Sequence, residues 1–294
     1  MIEDIFQVNG ITLKKDGIYG EISDYGEQEL EARTRKEVAS NHFDCYFDEI
    51  SKHHSIPVMD KEIIRFLKTI PNNGTILDIG GCWGWHWRKI NEIRPDIKVV
   101  IVELVRSNLF IAKSILGKLL DKNIFLFHGN AINLPFSDNS IDGVWSVQAT
   151  QHIPSLELVY REIFRVLKVG GLFADYNFNY SNLTKLIYSF FGKKYFIEGI
   201  VNNQFFLRRV TDKNRSLLNM IFKTKISSRY TEILFSPEYK LPIGGREKSL
   251  LGIVDSHLSN FGYLLKPFAR QRSLHALKLK LELKQNEYLE KINN

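Results

Sequence analysis

The feature that most narrows the fold is an alternation, from Val58 to Asn177, of short apolar runs with amphipathic stretches. A strand followed by a helix that returns to the same sheet is the unit such a pattern builds, so the reading is βαβ repeated on a mostly parallel sheet. Ile76 to Ile79 reads as a first strand ending in Gly80-Gly81-Cys82-Trp83-Gly84, after which Trp87, Ile90 and Ile93 recur at helical spacing. Val99 to Val102 is apolar at every position, as strands covered on both faces are. Ser107 is placed to cap a helix with Leu109, Ala112, Leu116 and Leu119 on one face. Ile124 to Phe127 and Gly143 to Val147 supply two further strands. Pro154-Ser155 opens a helix whose apolar face carries Leu156, Val159, Ile163, Val166 and Leu167. Gly170-Gly171 is positioned to end it, and Leu172 to Tyr176 is the fifth strand.

After that strand the alternation stops until Leu250, which reads as an insertion over 178–249. Residues 176 to 206 hold ten of the chain's 36 Phe, Tyr and Trp residues. The chain resumes with an amphipathic stretch, Leu250 to Phe261. It then carries Leu277, Leu279, Leu281 and Leu283 between charged residues, the period of a strand. The first 57 residues lack strong periodicity, although Phe43, Phe47 and Ile50 suggest a helix lying on the core. The expected organisation is an N-terminal cap segment over 1–57, a main domain over 58–284 with the insertion at 178–249, and a polar tail over 285–294.

Composition bounds the function. Two cysteines, Cys45 and Cys82, exclude a disulfide framework and a thiolate zinc quartet, and no metal site is expected. The N-terminus has no signal-peptide pattern and no apolar run approaches a membrane span, so the cytoplasm is the expected location. A net charge of +7 is modest for 294 residues and does not by itself call for nucleic acid.

The turn Leu77-Asp78-Ile79-Gly80-Gly81-Cys82-Trp83-Gly84 joins a strand to a helix, where glycines let a ligand approach the backbone. Glu103 ends the second strand 23 residues after Gly80, near the spacing of an acid that accepts from ribose hydroxyls. These two signals serve nucleotide-type ligands in general. Three further segments sharpen them: Gly129-Asn130-Ala131-Ile132-Asn133-Leu134-Pro135-Phe136 with Asp142-Gly143-Val144-Trp145, then Gln151-His152-Ile153-Pro154, then Arg161-Glu162-Ile163-Phe164-Arg165-Val166-Leu167-Lys168-Val169-Gly170-Gly171.

Together, over about residues 73 to 177, these motifs resemble class I S-adenosylmethionine (SAM) dependent methyltransferases. The branch they are most similar to includes the ubiquinone and menaquinone C-methyltransferases and many small-molecule enzymes. The resemblance implies a Rossmann-like seven-stranded α/β sheet with the last strand antiparallel and an insertion after strand five. It implies SAM as cofactor, with Gly80, Cys82 and Gly84 along its methionine part and Asp78 organising the loop. Glu103 would take the ribose, Asn130 the adenine amino group, Ala131 an adenine ring nitrogen through its N–H, and Val147 or Gln148 the ammonium through backbone carbonyls. Cys82 stands where a glycine is usual and Asn130 where an aspartate is usual. His152 follows the fourth strand and is the candidate general base, with ordering of the loop as its alternative role. Trp83, Trp85 and Trp87 crowd the turn, where core packing outweighs a sulfonium contact. His53 and His54 reach the site only if the N-terminal segment folds over it.

The expected function is methyl transfer to a small, hydrophobic or aromatic acceptor. An RNA or protein methyltransferase and a non-catalytic SAM-binding regulator stay open as alternatives, nucleic acid being the less favoured partner. The aromatic insertion is expected to cover the site, against a purely structural subdomain or a peripheral membrane contact through Leu183 to Phe191 and Lys185, Lys193 and Lys194.

Overall fold

The computed structural model describes residues 16–22, 24–39, 46–236 and 244–280. Phe43 and the leucines at 281 and 283, with the tail after them, lie outside the described residues. The central sheet has seven strands: β1 (Thr75–Ile79), β2 (Lys98–Glu103), β3 (Ile124–His128), β4 (Ile141–Val147), β5 (Leu167–Phe178), β8 (Ser227–Thr231) and β9 (Gln271–Leu277). Their order is β3-β2-β1-β4-β5-β9-β8. Pairs among the first five are parallel and β9 runs antiparallel to both β5 and β8. The order reverses between β1 and β4, and it is at such a point that the carboxyl ends of parallel strands leave a crevice.

Helices cover both faces because both faces of the inner strands are apolar. α3 (Ile56–Leu67) and α5 (Arg106–Leu116) bury Met59, Ile63, Phe66, Leu109 and Ala112 against Ile76, Val99, Ile101 and Trp145. α6 (Leu156–Val166) and α8 (Asp212–Phe222) bury Val159, Ile163, Leu218 and Phe222 against Leu77, Val100, Val144 and Phe173. α4 (Ile90–Ile93) is a single turn after β1, and α9 (Leu250–Leu258) packs on α3. On the first face the buried Glu62 is held bidentately by Arg229 at 2.9 and 2.8 Å and accepts from the Tyr176 hydroxyl at 2.9 Å. Such fork geometry offsets the cost of burying the charge.

Four expectations shift. Helix α6 ends at Val166, and Gly170-Gly171 lie inside β5. Its pairing with β4 jumps there from Ile141↔Leu167 to Gly143↔Leu172, and Gly170 takes a φ of 86°. The glycines therefore form a bulge, and the last carbonyls of α6 are met instead by the Lys278 ammonium, which donates to Phe164 O and Leu167 O at 2.6 and 2.7 Å. Ser107 is not the cap of α5, whose N-cap is Val105. The alternation does not stop after β5, since α8 and β8 belong to the core. What leaves the sheet is α7 (Asn182–Phe190) with a two-stranded hairpin, β6 (Glu198–Val201) and β7 (Phe205–Arg208). Of the described period-two leucines, Leu277 is the last residue of β9 and Leu279 lies beyond it, so the strand is centred on Leu274. Before the sheet, α1 (Glu29–Ala39) packs against α5 and β7, and α2 (Tyr46–His53) places Ile50 in the apolar cluster that holds Met59 and Ile63 of α3.

Candidate active site

The glycine turn and the acid after β2 meet. Gly80 has a φ of 66° and donates to Val102 O at 2.8 Å, which ties the turn to the end of β2. A Cβ on Gly80 would lie 2.3 Å from the Ala149 side chain, so no other residue fits. Glu103 reaches across to accept from the Cys82 N–H at 3.1 Å, while its other oxygen accepts from Val105 N at 2.9 Å and Asn108 Nδ2 at 3.2 Å. Burial raises the Glu103 pKa, and these three donors pull it back toward the charged form. Beneath the turn, Asp78 accepts from Trp87 Nε1 at 2.7 Å, and burial pushes its carboxyl up to about 7. Cys82 itself sits at a φ of 50°, with its thiol pKa raised by burial and by the neighbouring Glu103.

The other residues singled out in the sequence lie along the same edge. Asn130 follows β3, and its Oδ1 accepts from Ile132 N at 3.2 Å and from Gln28 Nε2 at 2.7 Å. Ala131 is buried beside it. Val147 ends β4, and Gln148 turns away at a φ of 52° with its N–H on Tyr176 O. The buried Gln148 Nε2 has no partner among the described residues. His152 is buried, with Nδ1 2.7 Å from Phe206 O and Nε2 3.0 Å from Gln151 Nε2 and 3.4 Å from Arg35 Nη2. The Phe206 carbonyl assigns the proton to Nδ1, and burial lowers the ring's pKa to about 4. In this arrangement His152 is a neutral, weakly basic ring that links α1 to β7.

Sequence reasoning missed the part played by α1. Gln28, just before it, and Glu31 and Arg35 within it span the edge from Asn130 to His152, and Thr34 Oγ1 bonds Gln204 O at the tip of the hairpin. It also missed that His54 and Trp85, both singled out in the sequence, join His86 and Trp145 in a set of buried rings on the α3 side of the turn. His86, two residues past Gly84, stacks on Trp85 at 4.0 Å and lies 6.1 Å from the Trp145 ring. His54 contacts Trp85 and His86 at 5.8 and 6.3 Å. His54 Nδ1, both His86 nitrogens and Trp145 Nε1 are buried without partners among the described residues. Burial brings His86 down to about 3 and His54 well below the ordinary range, so both rings are neutral. An unsatisfied buried donor or acceptor costs about 1–3 kcal/mol, which makes four of them on touching rings a signal for a polar ligand or ordered water. Only the packing of β4 against the segment before α3 unites them, and no local pattern marks that.

The aromatic stretch after β5 divides. Phe178, Tyr188 and Tyr195 surround the buried Arg209, with ring centroids 4.4 to 6.0 Å from its guanidinium. Phe205 lies edge-on to His152 at 5.4 Å. Phe190 and Phe191 face solvent and line none of this.

Comparison with known proteins gives a family match for residues 77–174, to a model described as a methyltransferase domain. A sterol 24-C-methyltransferase of Schizosaccharomyces pombe is 33% identical over 141 residues, 47% of this chain and 36% of that protein. The chain thus spans about a third of the length of this relative. Among solved structures, a chain of the complex between the Haloferax volcanii Trm112 methyltransferase activator and a methyltransferase superposes with a TM-score of 0.57 at 15% identity. It covers 88% of this chain and 100% of that one. A Haemonchus contortus phosphoethanolamine N-methyltransferase 2 in complex with SAM gives a TM-score of 0.51 at 18% identity, covering 74% of this chain and 52% of that one. The match to a methyltransferase-domain model, over 77–174, takes in the glycine turn and strands β2 to β4, and the seven-stranded sheet has the Rossmann-like fold of class I methyltransferases.

Proposed function

We propose that this protein binds SAM at the carboxyl edge of β1, β2 and β4 and transfers its methyl group to a small hydrophobic acceptor. The contact that carries the reading is Glu103 Oε2 to Cys82 N at 3.1 Å, which joins a ribose-type acid to a glycine turn distant in sequence. The residues present fit the cofactor. Glu103 keeps free acceptor capacity on the oxygen that takes only one donor, and Gln148 offers an unpartnered amide. Gly80, Cys82 and Gly84 would border the methionine part, Asp78 would hold the turn through Trp87, and Ala131 would meet the adenine. Asn130 Oδ1 already takes two donors, so adenine would exchange with Gln28.

Bound SAM supplies an activated methyl group on a sulfonium, so the chain's own work is to align the acceptor and exclude water. His54, His86 and Trp145 support an acceptor that carries a neutral oxygen group on an apolar body: the indole N–H donates, and neutral imidazoles accept or donate. The similarity to a sterol 24-C-methyltransferase agrees with an apolar acceptor. The contacts of His152 favour ordering α1 and the hairpin over proton abstraction. The test is saturable SAM binding by the purified protein, followed by incubation with labelled SAM and pools of sterols, quinones and acyl lipids. Label in the organic phase supports the reading; no saturable binding, or label only in RNA or protein, overturns it.

A further inference from the structure

We propose that the surface formed by α7 and residues 250–268 docks onto an anionic lipid membrane. The strongest sign is that α9 is built inside out. Gly252, Asp255 and Ser256 are buried against the protein, whereas Leu250, at 80% exposure, and Leu251, Ile253 and Val254 face outward. A helix adapted to water on its outer side has the reverse polarity. The chain that follows continues the apolar surface through Phe261, Tyr263, Leu264 and Phe268, with Leu264 at 78% exposure.

Helix α7 adds to it. It buries none of its residues despite carrying Leu183, Leu186, Ile187 and Phe190, and Phe190 is 84% exposed. The two elements are neighbours: Ser181 Oγ donates to Pro267 O at 2.6 Å, and Leu183, Ile187, Pro267 and Phe268 line a shared cavity of about 180 Å³. Scattered exposed leucines need no explanation, but a contiguous set on adjoining elements does.

Charge selects the occupant. No Asp or Glu occurs between residues 176 and 197 or between 256 and 281, while Lys185, Lys193, Lys194 and Lys266 lie among the exposed apolar side chains. Aromatic and aliphatic groups with lysines at their margin match the boundary between acyl chains and anionic headgroups. A second copy meeting the same face would set lysines against lysines, which like-charge repulsion disfavours. No helix among the described residues is long and apolar enough to cross a membrane, and the contact proposed is with the membrane surface. The inference does not depend on methyl transfer, because docking is read without cofactor or acceptor.

The experiment is co-sedimentation of the full chain with vesicles of phosphatidylcholine alone and with about one-third phosphatidylserine. Binding to the anionic vesicles that weakens with added salt is expected, each lysine contributing a factor of about five. Leu250→Ser with Phe190→Ser and Leu264→Ser should weaken binding about tenfold or more at unchanged melting temperature, since all three side chains contact solvent. Lys185→Gln with Lys266→Gln should lower the preference for phosphatidylserine. Failure to bind either vesicle, binding unaffected by these variants, or a concentration-dependent dimer dissolved by the serine variants in place of vesicle binding would each overturn the proposal.

Discussion

Replacing Glu103 separates the structural from the binding role of its carboxylate. Its oxygens take three donors, Cys82 N, Val105 N and Asn108 Nδ2, at 2.9 to 3.2 Å. Alanine leaves all three unsatisfied, at about 1–3 kcal/mol each before water enters, and should lose both fold stability and ligand affinity. Glutamine is the sharper probe. Its oxygen can keep Val105 and Asn108, while its amide NH₂ faces the Cys82 N–H, a loss of about 1–3 kcal/mol. Burial already penalises the charged carboxylate, so the neutral side chain recovers part of that loss and the net change in stability is about 1 kcal/mol. With the NH₂ at the position that would take the ribose, the diol loses its acceptor together with the charge, about 1.5–3 kcal/mol, or roughly ten- to a hundredfold in affinity. Calorimetric unfolding with SAM titration of Glu103→Gln and Glu103→Ala is the assay. If Glu103→Gln binds SAM as tightly as the native protein, the ribose assignment fails. If it unfolds like the alanine variant, the separation of roles fails.

Gln28→Ala should raise SAM affinity several-fold by freeing Asn130 Oδ1, read by titration; weaker binding would mean that Gln28 holds the cofactor rather than competes with it. Asp78 has a folded-state pKa of about 7, above its ordinary 3.8, because of burial. The folded state therefore binds its proton more tightly, and the stability it contributes is full below pH about 4 and lost as pH rises to about 7. Asp78→Asn removes that term, so the variant should gain on the native protein by up to about 1.4 kcal/mol per pH unit across this window. Urea unfolding at several pH values checks the sign, and a gain toward low pH refutes it. His86→Phe keeps the stacking on Trp85 and removes two unpartnered nitrogens, so SAM affinity and stability should hold while methyl transfer to the acceptor falls at least about tenfold. Unchanged turnover would make His86 a core ring only.

How much of this was legible depends on range. The inner strands and the helices between them show in local periodicity because each buries both faces or one stripe. Gly80 and Glu103 show because a glycine turn follows one marked strand and an acid ends the next, whereas Asn130 and Gln148 are reached only through the family resemblance. Gly170-Gly171 misled because a diglycine serves a helix end and a strand bulge equally, and only the register with β4 decides. The strand β8, Ser-Ser-Arg-Tyr-Thr, escaped notice because its apolar content is low and its pairing is with β9, distant in sequence. The spacing of α9 is that of an amphipathic helix and carries no indication that its apolar side faces out. The approach of α1 to Asn130, Glu103 and His152, and the meeting of His54 with His86 and Trp145, are tertiary and leave no local trace.

SAM binding at the carboxyl edge of β1, β2 and β4 is tested by a crystal structure of the protein with S-adenosylhomocysteine. Density is expected along Gly80–Gly84, with the ribose on Glu103, the adenine between Ala131 and an Asn130 released from Gln28, and the sulfur directed toward His86 and Trp145. Nucleoside density elsewhere, or no density at saturating ligand, would contradict it.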